Sequence, residues 1–129
     1  MGLRLAAICI AALTLPASAG ASPAFRATFA ASTHTPKVNA KWFYSVRVAD
    51  LRGKPIRATI TSQVIDPLGG VNPVEFGCCK RFVINHPFTG VFRDYVTFPP
   101  ESRGFKLTFR VIVKALGGRR VLTYWVTSR

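Results

Sequence analysis

From Phe25 onward, apolar and polar residues alternate in short runs separated by Gly, Pro and Asn. The longest patterned stretch is WFYSVRVADLRGKPIRATITSQVI, Trp42 to Ile65. Trp42, Tyr44, Val46 and Val48 share one face of a period-two pattern, with Phe43, Ser45 and Arg47 on the other. After a polar break, Ile56, Ala58, Ile60, Ser62 and Val64 lie opposite Arg57, Thr59, Thr61 and Gln63. Period two with β-branched and aromatic enrichment marks half-buried strands. Asp50 to Pro55 carries turn chemistry: Asp bonds its own backbone, Gly53 supplies a positive φ, and Pro55 ends the turn. The pattern predicts a β-hairpin, and it organises the rest of the chain.

Other strands follow from the same rule. Phe25 to Ala30 reads as a first strand, at an edge, with Phe25, Ala27 and Phe29 on one face. Ala31 to Lys41 is a connection. Asp66-Pro67-Leu68-Gly69-Gly70 is a break. In the irregular stretch from Val71 to Pro87, Pro73 and Gly77 allow only short strands, with Val74–Phe76 and Arg81–Asn85 as candidates. Pro87 to Gly90 reads as a turn. Val91 to Phe98 has Phe92, Val96 and Phe98 inward with Asp94 sharing their parity, which a bulge near Asp94 would repair. Pro99 to Gly104 is a crossing loop. Phe105 to Ala115 places Phe105, Leu107, Phe109, Val111 and Val113 on one face. Leu116 to Arg120 turns the chain back into Val121–Thr127. About seven strands with no helical period predict an all-β antiparallel sandwich.

The first residues change the picture of address. Arg4, the apolar run Leu5–Leu15, Pro16 and Ala17-Ser18-Ala19 have the three parts of a signal peptide, with cleavage expected after Ala19 and Ala21 as the alternative. The apolar run is shorter than the ~20 residues a membrane span needs. Residues 1–19 are thus read as a signal helix, and residues 20–129 as one domain of about 110 residues, secreted or extracytoplasmic. With 49% hydrophobic and 18% charged residues, that domain can bury a core without disulfide staples.

Net charge is +13, or +12 without Arg4. A charge of this size draws polyanions, and export argues against intracellular nucleic acid as the partner. Arg47, Arg57, Lys106, Arg110 and Lys114 fall on polar-face positions of the expected strands. Together they would form a basic sheet face, with Tyr44 or Tyr124 nearby to stack on an acidic polymer.

Cys78 and Cys79 are the two cysteines beyond the signal segment. Neighbouring Cα atoms lie about 3.8 Å apart, below the usual disulfide range. A strained redox-labile bridge, two free thiols and a bridge to another chain all remain open. A small exported metal or redox carrier using Cys78, Cys79 and His86 is the alternative function. His34 and His86 read as exposed loop residues, and the His/Cys spacing matches no metal motif, so no metal site is assigned. Five carboxylates exist: Asp50, Asp66, Glu75, Asp94 and Glu101. None forms a catalytic pair, and Asp94 is expected to pair with Arg93 or Arg110. There is no Gly-x-Ser-x-Gly elbow, GxGxxG or Walker pattern, so neither enzyme activity nor a cofactor is expected.

The order of features resembles bacterial immunoglobulin-like domains. These run W-x-(Y/F)-x-V-x-V-x-D-x-x-G-K-P-(V/I), then a gapped middle, then G-x-(F/A)-x-x-x-(V/L)-x-x-P and a final strand pair. The matching pieces are Trp42–Ile56, Gly90–Pro99 and Phe105–Val126. The resemblance implies an immunoglobulin-like sandwich that binds a surface or extracellular partner. Antibody-type domains carry a Cys…Trp…Cys set that is missing here. Exported copper-carrier sandwiches are similar in size, but their N-terminal His and Met-rich loop have no counterpart.

Overall fold

Strands with one apolar face must bury it against a second layer. The computed structural model describes residues 24–129; the expected signal segment, residues 1–19, lies outside them. Eight strands follow in order: β1 (Phe25–Ala31), β2 (Lys41–Asp50), β3 (Arg57–Ile65), β4 (Val71–Pro73), β5 (His86–Thr89), β6 (Val91–Thr97), β7 (Lys106–Ala115) and β8 (Gly118–Thr127). One sheet has the order β1-β2-β6. The other has β4-β3-β7-β8, with β5 also on β3. All strand pairs are antiparallel. Among the described residues, the sole helical element is a 3-10 turn at Pro100–Ser102.

The core fills the space between the sheets. Trp42, Tyr44, Val46 and Val48 of β2 are buried, facing Ala58 and Ile60 of β3 and Phe109, Val111 and Val113 of β7. Aromatic rings interlock at the centre, with Phe109 5.1 Å from Trp42 and 4.7 Å from Tyr44 between centroids. Each such side chain contributes roughly 1.5–3 kcal/mol by leaving water. The polar ends of these rings are satisfied. Trp42 Nε1 donates to the Thr33 carbonyl at 2.7 Å. Tyr44 and Ser62 share a buried hydrogen bond of 2.9 Å that ties β2 to β3 across the core.

The stretch Trp42–Ile65 is two strands, but it is not a paired hairpin. β2 has β1 on one side and β6 on the other, so no ladder edge is left for β3. After a single bridge between Ala49 and Pro55, the chain crosses to the other sheet. The bulge expected near Asp94 is absent. The β2–β6 register runs unbroken from Lys41↔Thr97 to Arg47↔Val91, with Tyr44 opposite Asp94. Asp94 therefore does face inward, and its Oδ1 accepts the Gly77 N–H at 3.1 Å. Arg110 is turned to Gln63 instead.

The middle segment is built around Ser62. β4 and β5 lie end to end beside β3, and residues 74–85 leave the sheet in the gap between them. Ser62 bonds both ends of that excursion: its N–H donates to the Val83 carbonyl at 3.1 Å and its carbonyl accepts from Val74 at 3.3 Å. The candidate strands 74–76 and 81–85 face each other only through a bridge at Glu75 and Phe82. Pro87 lies within β5, not in a turn.

Two further boundaries move. Phe105 precedes β7 and is exposed. The β7–β8 turn is two residues, Leu116 (φ 48°) and Gly117 (φ 70°). A turn with φ > 0 at both central positions matches strand twist and lets pairing continue to Ala115↔Gly118. Arg119 and Arg120 thereby join β8.

Candidate functional site

Strand register decides which basic residues meet. Side chains alternate across a sheet, so residues in register share a face. On the outer face of the larger sheet, Lys114 lies between Thr59 and Arg119, and Arg110 between Gln63 and Thr123. Lys106 opposes Thr127, and Arg57 opposes Thr89 on the same side. Thus Arg57, Lys106, Arg110 and Lys114 share one face. Arg47 does not join them. It opposes Thr28 and Val91 in the smaller sheet, on the far side of the molecule.

The face is unbalanced in charge because all five carboxylates are elsewhere. Asp50 Oδ1 accepts from Arg52 and Lys54, both at 2.9 Å, in the turn after β2. Asp66 Oδ1 accepts from Leu68 and Gly70, also at 2.9 Å, in the turn after β3. Asp94 faces inward on β6, Glu75 lies in the excursion, and Glu101 lies in the 3-10 turn. Arg110 spends two N–H donors on Gln63 Oε1, at 2.9 and 2.6 Å. This ties its guanidinium to the neighbouring strand β3, with the others of its roughly five donors left over.

The aromatic partner differs from the expected one. Tyr44 is only 2% exposed, deep in the core. Tyr124 is on the inner side of β8, tilted against Phe29 and stacked on His34. The exposed ring is Trp125, with 45% of its surface free and Lys106 Nζ 5.9 Å from its centroid. His34 is not a free loop residue. It stacks on both Tyr124 (3.9 Å) and Trp125 (4.0 Å), and its Nδ1 donates to the Trp125 carbonyl at 2.7 Å. The residues around His34 also close the β8 edge: Thr127 N–H donates to His34 O and Arg129 N–H to Pro36 O. Sequence reading missed Arg119 and Trp125 as members of the face. The signal available was Leu116-Gly117 as a complete two-residue turn, which starts β8 early and fixes the parity of both.

A second feature lies at the opposite edge of the larger sheet. An open cleft of about 790 Å³ separates β6 from the excursion. Val64, Val74, Val96, Phe98 and Leu107 floor it, and Lys41, Asp66, Glu75 and Lys80 reach its rim. Cys78 and Cys79 line it and are joined as a vicinal disulfide, which selects one of the three alternatives open for these residues. His86 is in β5 with its ring against Phe76 (4.9 Å) and Phe92 (5.7 Å), among aromatics rather than at an exposed loop. Among the described residues, no three of His, Cys, Asp and Glu group to hold a metal ion.

No family model and no curated protein sequence matches the chain.

Proposed function

We propose that this protein is an exported, non-enzymatic immunoglobulin-like module that binds an anionic surface polymer through the outer face of its larger sheet. The observation that carries the reading is the register: Arg57, Lys106, Arg110, Lys114 and Arg119 share one face that has no strand carboxylate. Intervening threonines offer hydroxyls, and Trp125 offers a ring for stacking. The immunoglobulin-like part rests on strand order. The first, second and sixth strands share one sheet, and the third, seventh and eighth share the other. That order supports the reading, because it agrees with a division of A, B and E against C, F and G in that fold. Export rests on the signal-like segment, Arg4 to Ala19.

A run of cations facing a polyanion releases condensed counterions, so affinity falls steeply as salt rises. Retention of the full chain on heparin resin, measured against salt, tests the reading. A Lys106→Gln/Lys114→Gln/Arg119→Gln variant is expected to elute at clearly lower salt. Arg47→Gln, on the other sheet, is expected to elute close to the unaltered protein. Equal shifts per charge removed from either sheet would show net charge alone at work, and the assigned face would be wrong.

A further inference from the structure

The cleft wall contains a group that polymer binding does not use. Residues 74–83 form a small hairpin. Phe76 N–H donates to the Arg81 carbonyl at 2.8 Å, and Cys79 N–H to the Phe76 carbonyl at 3.3 Å. Its base is fixed, because Val74 and Val83 are buried in the core. Its tip, Gly77 to Lys80, reaches across to the smaller sheet. The hydrogen bond from Gly77 N–H to Asp94 Oδ1 holds it there. Close fit adds to this: a Cβ on Gly77 would lie 2.5 Å from the Tyr95 carbonyl oxygen. Asp94 Oδ2 is buried beneath without a partner. The disulfide occupies the tip, and both cysteines are exposed. Lys80 and Arg81 follow it directly, with the Arg81 guanidinium 4.8 Å from the centroid of the Phe76 ring.

We propose that Cys78–Cys79 is a thiol-exchange site, and that its reduction by a dithiol releases the hairpin tip from β6 and opens the cleft. One thiolate of the dithiol attacks a cysteine sulfur, and the S–S bond breaks to give a mixed disulfide and a protein thiolate. The second thiol of the reductant then displaces the other cysteine and closes its own disulfide. Two electrons and two protons pass from the dithiol to Cys78 and Cys79. Lys80 and Arg81 favour both events, because they draw the incoming thiolate and stabilise the departing one. The bridge closes a small ring through the Cys78–Cys79 peptide bond. Opening that ring returns backbone freedom to the tip, whose tie to β6 must then be held against that entropy by the Gly77–Asp94 bond and the packing of Gly77 on Tyr95. The core-anchored base stays in place. This inference is independent of the basic face.

The test uses the full oxidised chain equilibrated with graded dithiothreitol. Alkylation and mass measurement count thiols, and amide hydrogen exchange follows the hairpin. Both thiols are expected to appear in one two-electron step while the core stays folded. With them, the Gly77 amide should exchange at least tenfold faster, and Val46 and Phe109 should not change. A Cys78→Ser/Cys79→Ser variant is expected to show the fast Gly77 exchange with or without dithiol. The proposal is overturned if thiols appear only when the core unfolds, or if they appear with Gly77 exchange unchanged.

Discussion

Asp50–Lys54 and Asp66–Gly70 make the same turn and send the chain to different places. In each, the aspartate Oδ1 accepts two backbone N–H groups. In each, the glycine N–H returns to the aspartate carbonyl at 3.0 Å. The glycines match as well, with φ 85° at Gly53 and 86° at Gly69. Yet the second turn closes a β3–β4 hairpin, while the first ends in one bridge and a crossing between sheets. Turn chemistry therefore reverses the chain without choosing its next partner. Partner choice follows from the free edges. Both flanks of β2 are taken, by β1 and β6, and Gly90 already accepts the Val48 N–H at 2.8 Å. Pro55 brings no N–H with which to compete. The flank of β3 beyond Ser62 was open, and β4 took it from Gln63 to Ile65.

Substitutions sharpen this contrast by separating the crossing from the turn. The largest effect is expected upstream of the first turn. Trp42→Ala removes a side chain that is 1% exposed and packed on Phe98 and Phe109. It should cost about 3–5 kcal/mol in denaturant unfolding. Next is Tyr44→Phe, which cuts the bond joining β2 to β3 and leaves the buried Ser62 hydroxyl without its partner, at about 1–3 kcal/mol.

The same residue sets an alkaline limit. Burial holds the Tyr44 hydroxyl well above its ordinary value; the Ser62 hydrogen bond opposes the rise and the Asp94 carboxylate adds to it. The folded state thus favours neutral Tyr44. Its contribution is complete below the unfolded-state value of about 10 and is lost as pH climbs above it. Unfolding titrations should show a stability loss above that pH that is smaller in Tyr44→Phe; an identical alkaline limb in the two proteins would assign it to other groups.

Smaller effects compare the turns themselves. Asp50→Ala uncaps a turn between two core strands and should cost about 1 kcal/mol globally. Asp66→Ala removes the same bonds beside β4, whose three residues are all exposed. Its global cost is expected within about 0.5 kcal/mol, with faster amide exchange confined to Val71–Pro73. Equal costs at the two sites would mean that the turns, and not the packing beyond them, set stability.

Much of the fold was legible because burial writes period two directly into sequence. β1, β2, β3, β6 and β7 lie within a residue or so of their expected bounds. Strand pairing was not legible, because β2 and β3 present the same inner-face pattern whether they pair laterally or face each other across a core. β4 and β5 were misplaced for another reason. What ended each strand was the competition around Ser62, a contact between segments remote in sequence. Four of the five basic positions came out on one face, since parity within a strand follows from its own residues. Arg47 did not, because sheet membership depends on pairing. Arg119 was hidden by a turn that holds Leu116 at positive φ, a conformation that few non-glycine residues adopt.

Trp42 and Trp125 are the chain's two tryptophans, one sealed in the centre and one open on the basic face. Intrinsic fluorescence therefore comes from two separable emitters. The blue-shifted component from Trp42 follows the integrity of the fold. The red-shifted, quencher-accessible component from Trp125 sits beside Lys106 and against His34, where a polymer on that face would shield it. The molecule thus carries its own optical probe for occupancy, with an internal reference for unfolding in the same spectrum.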